Sequence, residues 1–224
     1  MTNWEKEQSH FHMNGISTYD IPPDIFKWLK DNSYKAKDSK ELYTNKLVGH
    51  LKEEYNLLTQ NPPKEVTNYI ETRCMYGPFY EILKKVNVLT HNVPIILDNL
   101  WVNFQKKYEF NPIHNHSGFA SFIIFVNIPY NLDDEENYFE NINPDADKHT
   151  SKLMFINHFP HDGSINCKPI AVDKSFEGKM VMFGAKHFHE VYPFYTSDDY
   201  RITISGNLRY NTSQTPGSEI DIIR

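Results

Sequence analysis

The spacing of hydrophobic residues divides the chain into an N-terminal part typical of helices and a longer part typical of strands. Prolines followed by apolar residues at helical spacing predict one helix over 22–29 and a second from about 62 to 70. The same pattern predicts a third helix from residue 78 to about 89. The stretch 47–58 has no clear period, so its structure stays open.

From residue 93 onward, apolar and aromatic residues come in short runs separated by Pro, Asn, Asp and Gly. Such runs predict a β-sandwich or barrel with a helical cover on one side. The predicted strands are 95–104, 119–128, 153–159, 179–183 and 200–208. We therefore expect a helical part at 1–92 that packs on a β core at 93–212, followed by a tail at 213–224, all within a single domain.

A polar, acidic segment at 133–150 interrupts the strand pattern and is predicted to be a long connection. Connections of this length in a compact domain are often lids or binding loops. A plain solvated loop explains the composition equally well, so both interpretations stay open.

Charge and cysteine content narrow the classes of function. The formal net charge of −6 argues against sequence-independent binding to nucleic acid, because a phosphate backbone attracts basic surfaces. The chain begins with polar residues and has neither a signal-like segment nor an 18-residue apolar span. Cys74 and Cys167 are too few for a disulfide framework, so we interpret them as free thiols. We expect a cytoplasmic protein with no membrane segment.

Three histidines form a candidate metal site. His114 and His116 have i, i+2 spacing, which places both side chains on one face of an extended backbone. They precede a turn and an apolar strand, and His189 follows in a later apolar run. Three imidazoles on one side of an ion leave positions open for dioxygen, water or a chelating cosubstrate.

His187 complicates this assignment, because His187 and His189 have the same i, i+2 spacing. One of them could instead support a ligand or contact the substrate. A ligating imidazole needs its second ring nitrogen held by a carboxylate or a carbonyl, and Glu190 or a backbone oxygen could do this. The sequence does not choose between these possibilities.

The last predicted strand has a polar face within an apolar run. Period two places Arg201, Thr203 and Ser205 on one side of it. If this face is buried, the guanidinium needs an anionic partner, and a carboxylate fits its planar fork. The alternative is an exposed face on which Arg201 pairs with Asp198 or Asp199.

These features together resemble the Fe(II)- and 2-oxoglutarate-dependent oxygenases. The shared motifs are the histidine pair in a strand-entry loop, the phrase 183–193 around His189, and Arg201 twelve positions after that histidine. Phrases at 100–103, 111–118 and 201–207 are similar to the small oxygenases common in marine phage genomes. The resemblance covers about residues 99–210 well and the N-terminal half only loosely, through 47–51.

The resemblance implies a double-stranded β-helix (jelly roll, cupin-like) that carries Fe(II). Under it, His114 and His189 are metal ligands, Arg201 binds the distal carboxylate of 2-oxoglutarate, and Ser205 assists. The superfamily usually has Asp or Glu where this chain has His116, which would leave the iron complex one unit more positive. Three histidines also describe catalytic zinc sites, but the cosubstrate anchor that Arg201 supplies favours iron.

Further cavity residues are expected on the strand 95–104 and near the later loops. Trp101, Asn103 and Gln105 share one strand face, and we expect Asn103 and Gln105 to line the cosubstrate cavity while Trp101 packs. An ordinary exposed strand face is the alternative. The candidate residues of a substrate pocket are Trp101, Tyr130, His187 and Tyr192.

The predicted function is a dioxygenase that uses Fe(II), 2-oxoglutarate and dioxygen to hydroxylate an unidentified substrate, releasing succinate and CO2. One alternative is a cupin-like three-histidine metalloenzyme, either an iron dioxygenase without a cosubstrate or a zinc hydrolase. The other is a non-catalytic jelly roll in which the metal is structural or the site senses a ligand.

Overall fold

Ten strands, three α-helices and three short 3-10 helices make up the regular structure of residues 15–76, 94–139, 148–158 and 163–211, the part of the chain that the computed structural model describes. The strands are β1 (Ser17–Asp20), β2 (Glu54–Asn56), β3 (Ile95–Gln105), β4 (Asn111–His114), β5 (Ala120–Asn127), β6 (Leu153–His158), β7 (Ile165–Ile170), β8 (Lys179–Gly184), β9 (Phe188–Val191) and β10 (Arg201–Tyr210). The helices are α1 (Pro23–Ser39), α2 (Lys64–Tyr76) and α3 (Leu132–Asn137).

The strands form two antiparallel sheets with jelly-roll topology. The six-stranded sheet has the order β1-β8-β5-β10-β3-β2, and the four-stranded sheet has the order β4-β9-β6-β7. Of the eight strands from β3 to β10, the larger sheet contains β3, β5, β8 and β10, and the smaller sheet contains β4, β6, β7 and β9. This is the double Greek key of a jelly roll. The predicted fold, a mainly β double-stranded β-helix with N-terminal helices, is confirmed.

Two apolar clusters lie on opposite faces of the six-stranded sheet. The first packs that sheet against α1 and α2, and its fully buried members include Leu29, Ile70 and Ile204. The second lies between the two sheets and includes Phe155 and Phe183. Because side chains alternate along a strand, the central strands β5 and β8 supply residues to both clusters.

The five predicted strands are present, with ends that differ by at most two residues. The first two predicted helices are also present, but α1 continues to Ser39 and α2 to Tyr76, well beyond the predicted ends at 29 and 70. Strands β4, β7 and β9 were not predicted, because β4 contains Pro112 and β7 is mostly exposed and lacks an apolar alternation. The N-terminal part also supplies β1 and β2, which are too short for a period to be visible. The predicted helix at 78–89 and the tail at 213–224 lie outside the described residues.

The acidic segment 133–150 begins within helix α3, which the sequence did not predict. Glu135 is buried, and its carboxylate accepts hydrogen bonds from the backbone N–H groups of Tyr195 (3.0 Å) and Thr196 (2.8 Å). The hydroxyl of Thr150 donates to the backbone oxygen of Glu135 at 2.8 Å. Glu135 therefore bonds the first part of the segment to the connection after β9, and Thr150 bonds the last residue of the segment back to Glu135, while 140–147 lie outside the described residues.

Cys74 is buried and Cys167 is exposed, and neither forms a disulfide. Burial raises the pKa of the Cys74 thiol to about 12. Within the described residues, no helix combines the length and the apolar composition that crossing a membrane requires.

Candidate metal centre and its cavity

The three predicted ligand histidines come together at the paired strands β4 and β9. His114 ends β4 and lies opposite His189 in the register of the two strands, and His116 follows in the loop that leads to β5. One ring nitrogen from each of the three lies within 4.8 Å of the others. The pairing of two strands far apart in sequence thus forms a single cluster of imidazoles.

Backbone oxygens fix the orientation of two of these rings. His114 Nδ1 lies 2.7 Å from the carbonyl oxygen of Pro112, and His189 Nδ1 lies 3.0 Å from that of His187. A carbonyl only accepts, so both Nδ1 atoms carry the proton and both Nε2 atoms present a lone pair. Glu190 is not needed for this role, which resolves one of the open choices.

The geometry and charge of the cluster fit a divalent transition metal. Nitrogens bound at right angles, each about 2.1 Å from a metal, lie about 3 Å apart, and His116 Nε2 is 3.2 Å from His189 Nε2. Two effects lower the pKa of His116 to about 3: burial is the larger, and the neighbouring His114 is the smaller. Burial also lowers the pKa of His114 and of His189. The rings are therefore neutral at physiological pH and available as ligands.

His187 lies outside this cluster. Its Nε2 is 3.1 Å from Asn157 Oδ1, and its ring packs on Phe155 with a centroid distance of 5.0 Å. His187 lies immediately before β9 and is not part of that strand, so the side chains of His187 and His189 do not point the same way as expected. Of the two, only His189 reaches the metal cluster.

A cavity of about 200 Å³ opens between the sheets beside the histidines. Its floor is formed by facing residues of β3 and β10, paired as Gln105–Arg201, Asn103–Thr203 and Trp101–Ser205. Trp101, Asn103 and Gln105 are each 4% exposed, so the interpretation as an exposed strand face is wrong. Trp101 lines the cavity as well as packing.

Hydrogen bonds between β3 and β10 order this floor. The Asn103 side chain donates from Nδ2 to Thr203 Oγ1 at 3.0 Å and to Ser205 Oγ at 3.4 Å. Both hydrogen bonds from this amide nitrogen therefore go to residues of β10. Its oxygen, Oδ1, is buried and has no hydrogen-bond partner among the described residues.

Arg201 is 2% exposed and donates only to neutral oxygens within the described residues. Nε and Nη2 donate to Gln105 Oε1 at 3.0 and 2.8 Å, and Nη1 donates to the Tyr130 hydroxyl at 3.1 Å. The backbone oxygens of Ser151 and Tyr192 accept at 2.8 Å each. We expected the buried guanidinium to have an anionic partner, but neutral oxygens accept its hydrogen bonds.

The positive charge of Arg201 is nevertheless uncompensated among the described residues. The alternative in which it pairs with Asp198 or Asp199 on the surface is wrong: Arg201 is buried, and Asp198 contacts Lys107 at 2.6 Å. A buried guanidinium that borders a cavity and lacks a counter-charge attracts an anionic ligand.

Tyr130 and Tyr192 lie behind Arg201 and are not among the residues that line the cavity. Tyr130 is 3% exposed and contacts the guanidinium through its hydroxyl, while Tyr192 contributes its backbone oxygen and packs its ring on His149. Their position supports a role in holding the arginine instead of the expected role as pocket walls.

One wall of the cavity comes from a segment that the sequence analysis did not assign. Residues 43–54 border it through side chains from the loop before β2 and from β2 itself. These residues are Tyr43, Lys46, Leu47, Val48, Gly49, Leu51 and Glu54. The loose resemblance at 47–51 was the only signal in the sequence. The described part of 133–150, by contrast, does not line the cavity.

Residues 99–207 match a protein family described as "Putative 2OG-Fe(II) oxygenase". The matched stretch contains all three histidines of the cluster, Arg201 and the cavity floor. The match confirms, over these residues, the resemblance to the Fe(II)- and 2-oxoglutarate-dependent oxygenases.

No curated protein matches this chain. Two similar solved structures are a prolyl-4-hydroxylase from Pseudomonas putida and AviO1 from Streptomyces viridochromogenes Tue57. The first is 12% identical, with 87% of this chain and 92% of that chain covered and a TM-score of 0.47. The second is 13% identical, with 90% and 92% covered and a TM-score of 0.47.

Proposed function

We propose, from the match of residues 99–207 to the 2OG-Fe(II) oxygenase family, that the protein is a dioxygenase that hydroxylates a substrate and releases succinate and CO2. The family uses Fe(II) as its metal and 2-oxoglutarate and dioxygen as cosubstrates. The observation that supports the proposal best is the presence of three neutral imidazoles and an uncompensated buried arginine in one cavity.

His114, His116 and His189 would hold the iron through nitrogens that carry no proton. When bound, the iron and 2-oxoglutarate supply an oxidation in which one atom of dioxygen enters the substrate as a hydroxyl and the other enters succinate, with loss of CO2. The protein contributes orientation: the backbone oxygens of Pro112 and His187 prevent two of the rings from turning.

Arg201 would bind the distal carboxylate of 2-oxoglutarate. Its N–H groups are already directed at neutral oxygens, so a carboxylate exchanges for one or more of them. The exchange is favourable, because a carboxylate adds an opposite charge to a buried guanidinium that so far donates only to neutral oxygens. Ser205, Thr203 and Gln105 border the same part of the cavity and can donate to or orient the carboxylate.

Anaerobic titration with Fe(II) and then 2-oxoglutarate tests this function. We expect a weak visible charge-transfer band, because 2-oxoglutarate chelates iron through its 2-oxo group and adjacent carboxylate. Succinate, which lacks the 2-oxo group, is the matched control and gives no band. Admission of dioxygen should then produce succinate. Folded protein that binds Fe(II) and develops no band with 2-oxoglutarate would contradict the proposal and favour an enzyme without this cosubstrate or a zinc hydrolase.

We further propose that the described helices and sheets act as a single domain in the cytoplasm. The pairing of β1 with β8 and of β2 with β3 supports one domain, since strands from the N-terminal part complete the larger sheet. The absence of a disulfide at Cys74 and Cys167 is consistent with a reducing compartment. The net charge of −6 makes nucleic acid an unfavourable partner.

A further inference from the structure

The cavity has two chemically different ends. Arg201, Thr203 and Ser205 are on β10, whereas Glu54 is on β2 at the far side of the intervening β3. In the register of these strands, Thr203 faces Asn103, and Asn103 faces Glu54 in the same row. Two strand spacings, roughly 9.6 Å, therefore separate the β10 end from the β2 end.

Glu53 and Glu54 are neighbours with opposite surroundings. Glu53 lies 2.7 Å from Lys37 Nζ and 3.4 Å from Lys106 Nζ, and it accepts a hydrogen bond from the Tyr200 hydroxyl. Burial alone would raise the pKa of Glu53, but these partners lower it to about 2. Glu54 is 1% exposed, and Oε2 has no hydrogen-bond partner among the described residues. Burial, followed by repulsion from Glu109, raises the pKa of Glu54 to about 7.

Among the residues that the structure describes, the unpartnered side-chain atoms at the β2 end are all acceptors. Besides Glu54 Oε2, they include Asn103 Oδ1, whose own amide nitrogen is already used by Thr203 and Ser205, and Asn111 Oδ1. Carboxylate and amide oxygens repel the carboxylates of 2-oxoglutarate, so these atoms do not serve that cosubstrate. They match a ligand that presents several N–H donors.

Aromatic rings form the rest of this end. The Tyr43 and Trp101 rings stack with centroids 6.1 Å apart, and both residues line the cavity. The Nζ of Lys46, an exposed residue at the rim, lies 5.0 Å from the Tyr43 centroid. Aromatic faces attract ammonium and guanidinium groups in addition to the attraction of a carboxylate.

We propose that the β2 end of the cavity recognises a cationic nitrogen group, an ammonium or guanidinium, on the substrate, with Glu54 as its carboxylate partner. The inference rests on the proposed function, because it assigns the β10 end to 2-oxoglutarate and the β2 end to the molecule that is oxidised. A cation entering here gains an ion pair that a neutral group of the same shape lacks.

Binding of N-butylguanidinium, compared with its neutral isostere N-butylurea, tests the inference. The full chain, loaded anaerobically with Fe(II) and 2-oxoglutarate, is titrated at pH 8 by calorimetry, so that Glu54 is largely ionised. We expect N-butylguanidinium to bind about 10-fold more tightly than N-butylurea, equivalent to about 1.4 kcal/mol. Equal binding of the two probes by the wild-type protein would overturn the proposal without any variant.

Glu54→Gln should reduce the affinity for N-butylguanidinium about 10-fold and leave that for N-butylurea within about twofold. Glu41→Gln is the matched control, because it removes the same charge from an exposed residue of the segment before β2. Loss of affinity in both variants, or in neither, would refute the assignment. The charge-transfer band is scored separately in the wild-type protein, so failure of the proposed function and failure of this inference give different results.

Discussion

The six-stranded sheet separates two interiors with different roles: one lies between this sheet and the helices, and the other lies between the two sheets. Between the sheet and the helices, β10 contributes Ile202 and Ile204, which are buried in a continuous apolar cluster. Between the two sheets, the same strand contributes Arg201, Thr203 and Ser205, which border a cavity. One strand thus stabilises the fold with one face and arranges polar groups with the other, because its side chains alternate.

Substitutions on the helix side of the sheet should therefore mainly affect stability, and substitutions in the inter-sheet cavity should mainly affect binding and catalysis. Apolar burial stabilises in proportion to the area removed from water, so the larger helix-side cluster contributes more to the free energy of unfolding than the smaller cluster between the sheets. Polar groups in the inter-sheet cavity contribute little to that free energy but determine what binds. Four pairs of measurements test the separation.

The largest effect is expected at the metal cluster. His189→Ala should lower the rate of succinate formation at least about 1,000-fold, equivalent to about 4 kcal/mol, because one of three ligands is lost. His187→Ala is the matched control, since that ring is bonded to Asn157 and not to the cluster. Succinate is measured by chromatography after single additions of dioxygen. Similar losses in both variants would mean that the cluster is not the site of the reaction.

Ile204→Ala should produce the largest change in stability. The side chain is fully buried between the sheet and the helices, and its truncation should lower the free energy of unfolding by about 3 kcal/mol. Urea denaturation measures this change. The KM for 2-oxoglutarate of the folded variant should stay within about twofold of the wild-type value, since the residue faces away from the cavity. A large rise in that KM would break the proposed separation of the two interiors.

Arg201→Lys should affect the cosubstrate more than the reaction. Lysine keeps the charge but loses the planar fork, so we expect the KM for 2-oxoglutarate to rise about 30-fold, equivalent to about 2 kcal/mol, with a smaller change in kcat. Initial rates of succinate formation at varied 2-oxoglutarate concentration measure both constants. An unchanged KM would assign Arg201 a purely structural role through Gln105 and Tyr130.

Thr203→Val should have the smallest effect. The substitution keeps the shape of the side chain and removes one acceptor of the Asn103 amide, which should cost about 1 kcal/mol in the free energy of unfolding. Urea denaturation and the KM for 2-oxoglutarate are measured together, and a few-fold rise in KM is expected. A stability loss as large as that of Ile204→Ala would show that the polar floor is also a main source of stability.

The histidine cluster and the polar strand face were predictable from the sequence for physical reasons. His114 and His116 have strand spacing beside an apolar run. Polar and apolar residues alternate around Arg201, which indicates a strand with one apolar face and one polar face, and a buried polar face is expected to border a polar cavity. The separation of His187 from His189 was not predictable, because it depends on where β9 begins.

The surroundings of Arg201 and of Glu54 could not be predicted. The arginine is held by backbone oxygens of Ser151 and Tyr192, which lie in connections whose paths no periodicity reveals. Glu54 belongs to a three-residue strand, too short to show an alternation, and its neighbour Glu53 has the same chemistry. Only the pairing of β2 with β3 distinguishes the two carboxylates.

The outermost strands of both sheets limit association of this protein with itself. In the described part of the chain, the larger sheet ends at β1 and β2, of four and three residues, so another chain finds few free backbone groups to pair with. The smaller sheet ends at β4 and β7, which carry Pro112 and Pro169, residues without a backbone N–H. These edges disfavour strand-to-strand aggregation, so the protein is expected to tolerate the high concentrations that calorimetry and spectroscopy require.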